Sequence, residues 1–94
     1  MASSIDCAEL SELAHNSATQ VAAVAAQLGI KEARLLSPNS PKMELAKDLV
    51  TLAGHLLRAS FALGSQIQDH AAANTTKFLE GLELVCTVSS HTFP

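Results

Sequence analysis

The sequence predicts an all-α fold: two long antiparallel amphipathic helices plus a short C-terminal element, completed by dimerisation or a partner. Three observations predict it. Apolar residues recur at alternating spacings of four and three over two separate stretches, the period of a helix face. Each stretch opens on a helix-start signal, and a Pro- and Ser-containing segment divides them. Hydrophobic residues make up 48% of the chain but aromatics only 3%, with no Trp or Tyr, so the core must come from Ala, Leu and Val.

The first helix is expected over about residues 6–28, a single module with everything that follows. Ser4 or Asp6 opens it, and Asp6 with Glu9 three residues on resembles a capping box. Leu10, Ala14, Ser17, Val21, Val24 and Leu28 then form one seam, widened by Leu13 and Ala25. Gly29 is free to take positive φ, and Ile30 supplies the apolar contact that often follows such a cap. A linker over 29–40 comes next. KEARLL suits a short helical turn, but Pro38 and Pro41 prevent SPNSP from continuing one. Ser40 as N-cap with Pro41 at the first helical position restarts the chain as helix.

The second helix is expected over about 41–72, and it carries two seams. Leu45, Leu49, Leu52, Leu56, Ala59 and Leu63 form one. Ala46, Val50, Ala53, Leu57, Ser60, Gly64 and Ile67 form another, one residue over. Glu44, Lys47, Asp48, Arg58 and Asp69 mark what is left for water. One neighbour needs one stripe, so two adjacent stripes demand two neighbours. The leucine seam is the natural face for the first helix. That leaves Val50, Ala53, Leu57, Gly64 and Ile67 as the interface with a protein partner or a second copy of the chain. On this reading Leu57→Asp abolishes association and spares helicity, while Leu52→Asp unfolds the chain.

Residues 73–94 are expected to form a short element and a tail. Asn74–Thr76 either ends the second helix or caps a short one over KFLEGLEL. LVCTV is rich in β-branched residues and equally suits a short strand, and SSHTFP reads as a tail.

Composition excludes several function classes. The formal charge is −3 with no basic cluster, so no nucleic-acid footprint is present. The charge-free run Leu13–Ile30 contains His15, Asn16, Ser17, Thr19, Gln20 and Gln27, too polar for a membrane span. An amphipathic lipid binder calls for a basic polar face, whereas the second helix carries mixed charges. No Lys or Arg precedes Lys31, which argues against a secretory signal, and Cys7 and Cys86 are isolated. Free thiols and a cytoplasmic location are expected.

No catalytic, cofactor-binding or metal-binding residue is assigned, and no cofactor is expected. His55 and His70 lie about 22 Å apart along a helix, too far to share a metal. His55 reads as a packing or surface residue. Ser60, Ser65, Cys7 and Cys86 have no evident His or acidic companion. Gly29, Gly54, Gly64 and Gly81 are scattered and form no phosphate-cradling loop; Gly54 and Gly64 either admit another helix closely or are simply tolerated. Asn74-Thr75-Thr76 matches the N-glycosylation pattern by chance.

The segment LSELAHNSATQVAAVAAQLGI resembles the N-terminal region of fungal secondary-metabolite O-methyltransferases that use S-adenosylmethionine. The resemblance runs over about residues 8–67. It is carried by Leu13-Ala14, Val21 and Leu28-Gly29, then the Pro/Ser linker, then the Ala/Leu helix from Met43 to about Ile67 with its glycine at Gly64. This chain departs from the family in lacking a Pro-Ser soon after Gly29, an acidic-Gly-x-Gly cofactor loop and the general-base histidine. The resemblance implies a helical accessory piece, because the family's N-terminal helices take part in dimerisation and wall the substrate chamber of the partner subunit. It implies a non-catalytic dimerisation or partner module, or truncated product, of such a protein, with a methyltransferase catalytic chain as a possible partner. The alternative is a helical-bundle scaffold or adaptor unrelated to any enzyme.

Overall fold

The computed structural model describes residues 6–33 and 41–92. They form three helices, α1 (Cys7–Ala33), α2 (Pro41–Gly64) and α3 (Ala71–Thr92), and no strand occurs among the described residues. Asp6 caps α1 as expected: its Oδ1 accepts from the backbone N–H groups of Ala8 (3.0 Å) and Glu9 (3.2 Å), two donors with no partner inside the helix. Pro41 begins α2, with its fixed φ at the position where a missing N–H costs nothing. Ser4 and Ser40, the other start signals, lie outside the described residues.

α1 and α2 run antiparallel, clasped at one end by two serines. The Ser11 hydroxyl donates to the Ser60 carbonyl (2.8 Å) and the Ser60 hydroxyl to the Ser11 carbonyl (2.9 Å). Both serines are buried, and each hydroxyl has its partner, so this polar pair leaves no unsatisfied group in the interface. Farther along, Ala22 and Ala25 meet Val50 and Ala53 in a core completed by Val88 of α3. α3 lies antiparallel to α2. The Phe61 and Phe78 rings are 4.7 Å apart, the next level places Gly81 at Leu57, and the last places Val88 in the alanine core. His15 Nε2 donates to the Lys77 carbonyl (3.3 Å), tying α3 to α1 as well. The result is an up-down-up bundle with Cα extents of 52 × 30 × 14 Å.

Small residues make this core. α1 buries Ser11, Ala18, Ala22, Ala25 and Gly29, and α2 buries Met43, Ala46, Val50, Ala53, Leu57, Ser60 and Gly64. Short side chains let two helix backbones approach closely, so dispersion and the serine clasp act over many atoms at near contact distance.

Three expected boundaries are corrected. Gly29 does not end α1. It is buried on the Ala18–Ala22–Ala25 line, no glycine has positive φ, and the helix runs on to Ala33. A residue without a side chain serves the close approach there, not a cap. α2 stops at Gly64 rather than near residue 72. The Phe61 carbonyl accepts from the Ser65 backbone N–H (3.0 Å), the Ser65 hydroxyl (2.9 Å) and the Asn74 amide (3.1 Å). Tighter turns follow, from Gln66 N to the Leu63 carbonyl and from Ile67 N to the Gly64 carbonyl, and Asp69 reverses the chain with φ 62°. The short element and tail are a full helix, α3, of 22 residues, which absorbs KFLEGLEL, LVCTV and the SSHT of the tail.

Gly64 and Gly54 divide the expectation made for them. A Cβ on Gly64 would collide with the Asn74 side chain, so any other residue there displaces the amide that caps the Phe61 carbonyl. A Cβ on Gly54 meets nothing within 4 Å. Gly54→Ala is therefore expected to stabilise by about 1 kcal/mol through helix propensity, raising the melting temperature by roughly 4–8 °C in a thermal scan.

A candidate interaction face on α1 and α2

The titratable and nucleophilic side chains do not converge. Among the described residues no three of His, Cys, Asp and Glu gather into a metal-binding group. His55 is exposed on α2, where Arg58 Nη2 donates to its Nδ1 (2.6 Å), one turn away; the histidine is a surface residue. The Ser11 and Ser60 hydroxyls are committed to each other's carbonyls. Cys7 is half-buried, Cys86 exposed, and both are free. Asn74 is half-buried with its amide on the Phe61 carbonyl, so its side chain serves the fold rather than a glycan. A cavity of about 380 Å³ opens between the start of α1 and the α2–α3 turn. Its walls are mostly Ala, Ser, Gly and Ile, with Glu12, His70 and Lys77 on the rim and no activated nucleophile.

The two seams of α2 are both real, but their roles are exchanged. Val50, Ala53, Leu57 and Gly64, expected at a partner interface, are buried inside the chain, and Ile67 is half-buried in the α2–α3 turn. The leucine seam, expected to meet α1, faces outward: Leu45 is 51% exposed and Leu52 46%. The same holds on α1, where Leu10, Leu13 and Val24 are exposed while the alanines turn in. α1 presents only Ser, Ala and Gly to the interior, so the α2 stripe that mixes alanines with Val50 and Leu57 packs there, and the stripe that is leucine at nearly every position does not.

The outward stripes share one side of the molecule. On α1, Leu10, Ser17, Val21, Val24 and Leu28 each immediately precede an inward residue, and exposed Leu13, between Leu10 and Ser17, borders the same stripe on its outer edge. On α2, Leu45, Leu49, Leu52, Leu56, Ala59 and Leu63 do the same. One residue back is about 100° around a helix, in the same rotational sense on both. On two antiparallel helices the same sense leads to the same side. α3 occupies the opposite side, where Phe61 follows Ser60 and stacks on Phe78. Among the described residues the α1/α2 pair is thus covered on one face by α3 and bare on the other. No charged residue belongs to either stripe, and Leu49, Leu56, Val21 and Leu28 are half-buried in the floor between the helices.

By composition this face is apolar and uncharged. Each stripe spans about 27 Å at 1.5 Å per residue, and two helices side by side are roughly 20 Å wide. A contiguous apolar patch of that size, on the order of 500 Å², is at the upper end of what a monomer leaves open. Five of its side chains are about half-exposed, and covering each recovers roughly half of the 1.5–3 kcal/mol that full burial gives. The sequence pattern contains this face as the Leu10–Leu28 and Leu45–Leu63 seams, and the structure turns them outward. A second, smaller group of exposed leucines, Leu79, Leu82 and Leu84, belongs to α3. No helix of the described residues is long and apolar enough to cross a membrane.

No protein-family model matches this chain, and no curated protein or solved structure shows significant similarity to it.

Proposed function

We propose that the chain is a non-catalytic helical association module that acts by presenting the bare α1/α2 face to another polypeptide. The observation that carries this reading is the inversion of the core: small residues hold the bundle together and the leucines point out along one uncharged face. Burial of apolar surface is the dominant driving force for association, and Leu10, Val24, Leu45 and Leu52 of this face remain exposed in the fold. The serine clasp, the cap from Asn74 and the Phe61–Phe78 pair make a rigid support, so little ordering is needed on docking. The likeness of Leu13-Ala14, Val21 and Leu28-Gly29 to the O-methyltransferase N-terminal region supports a multichain enzyme of that class as the setting.

Photo-crosslinking tests the module reading. A benzoylphenylalanine at Leu52 or Leu13 is expected to yield a covalent adduct with a polypeptide chain in the native host. The same probe at Thr51, on the exposed polar side of α2, is expected to yield none. Absence of any adduct from Leu52 and Leu13 overturns the reading.

A further inference from the structure

We infer that the occupant of the α1/α2 face is a second copy of this chain, packed face to face about a two-fold axis that runs along the helices. The inference rests on the association reading above and names the partner. Charge is the first reason. The chain carries a net −3, which disfavours self-association through a charged surface, yet the two stripes contain no ionisable group. Copies meeting here keep their carboxylates at the rim and in water.

Shape is the second reason. The Ser11–Ser60 clasp sets the register of α1 on α2, so Ser17 lies level with the turn between Leu52 and Leu56, with half-buried Ala14 one turn away and Leu13 on the outer edge. Rotation about an axis parallel to the helices keeps every residue at its level and sets α1 against α2 of the partner. Small Ser17 on one copy then faces the turn between Leu52 and Leu56 on the other, twice, by symmetry. Four helices make the central layer, with one α3 on each outer side. The two stripes, Leu10–Leu28 and Leu45–Leu63, are equal in span and offset by about two residues in this register, so their overhang is only about 3 Å.

Area is the third. A patch on the order of 500 Å² per copy, extended by its polar rim, approaches the roughly 800 Å² per partner of a stable dimer. The α3 leucines cannot serve equally, because Leu79, Leu82 and Leu84 do not follow one stripe: successive positions in the group are separated by steps of three and two residues.

Sedimentation equilibrium of the purified chain across low to high micromolar concentration is expected to show a dimer. Leu52→Glu and Leu13→Glu are each expected to weaken it about a hundredfold or more, by forcing a carboxylate into a desolvated helix–helix contact. Leu79→Glu is expected to leave it intact. The crosslinker at Leu52 reports on the unperturbed charge pattern, and a covalent dimer of the purified chain is the expected product. A wild-type monomer throughout overturns the proposal, as does a dimer that Leu79→Glu breaks and Leu52→Glu does not. A purified monomer that forms a Leu52 adduct with a different protein in the host overturns the second copy and leaves the module reading standing. No adduct in either setting removes both.

Discussion

Leu57→Asp is expected to unfold the chain. Leu57 is 1% exposed and is the largest fully buried side chain of the bundle, seated where α3 passes at Gly81. Removing a leucine of that kind costs about 2–5 kcal/mol from lost transfer energy and the cavity left behind. The carboxylate adds more. Its neighbours there are Gly81 and the half-buried His15 side chain, and an unpaired buried charge costs several kcal/mol unless it takes up a proton. Domains of this size have roughly 5–15 kcal/mol in all, and a core built largely of alanine places this one toward the lower figure. Far-UV circular dichroism in buffer should therefore show lost helicity, together with loss of a cooperative thermal transition. Full helicity with an ordinary melt would remove Leu57 from the core.

That outcome inverts what the repeat pattern alone suggests, and the reason is instructive. Both seams of α2 are visible in the sequence, as are the Asp6 cap, the Pro41 start and the antiparallel pairing that a hairpin of two long helices requires. What is not visible is which seam turns inward. Hydrophobicity ranks leucine above alanine, so a reading by hydrophobicity sends Leu45, Leu49 and Leu52 to the interior. Helix–helix contact is decided by shape as well, and Ser11 facing Ser60 in reciprocal hydrogen bonds brings the two backbones close, which a stripe of leucines at nearly every position would hold apart. Neither serine is apolar, and neither signals its partner 49 residues away.

α3 was hidden for a different reason. Leu84–Val88 and the Thr- and Ser-rich ends carry strand or turn preference, each a weak local bias that packing overrides. Within the helix, the Thr75 hydroxyl donates to the Ala71 carbonyl, Thr87 to Glu83 and Ser90 to Thr87. These back-bonds satisfy the polar groups that would otherwise favour irregular structure. Gly81 has the opposite effect on legibility: it looks like a helix breaker, yet it is the position at which α3 touches its neighbours.

Gly81→Val is expected to dislodge α3 from the bundle. A Cβ at residue 81 would overlap the Leu57 side chain and stand 3.4 Å from His15 Nε2. The end of a leucine side chain can usually swing aside, but Leu57 is enclosed, so α3 must move instead. Helix propensity favours the substitution by only a few tenths of a kcal/mol, whereas overpacking costs about 1–3 kcal/mol. The steric term wins. The α1/α2 pair keeps its serine clasp and its own contacts, while α3 loses the Phe61–Phe78 stack and the seat of Val88. Limited proteolysis should therefore cut first within residues 71–92, and the melting temperature should fall, opposite in sign to Gly54→Ala. A double-mutant cycle separates this cause from a simple helix effect. Leu57→Ala vacates the volume that the valine needs, so Gly81→Val should cost less in the Leu57→Ala background than alone. Equal cost in both backgrounds would mean that residues 57 and 81 do not compete for one space.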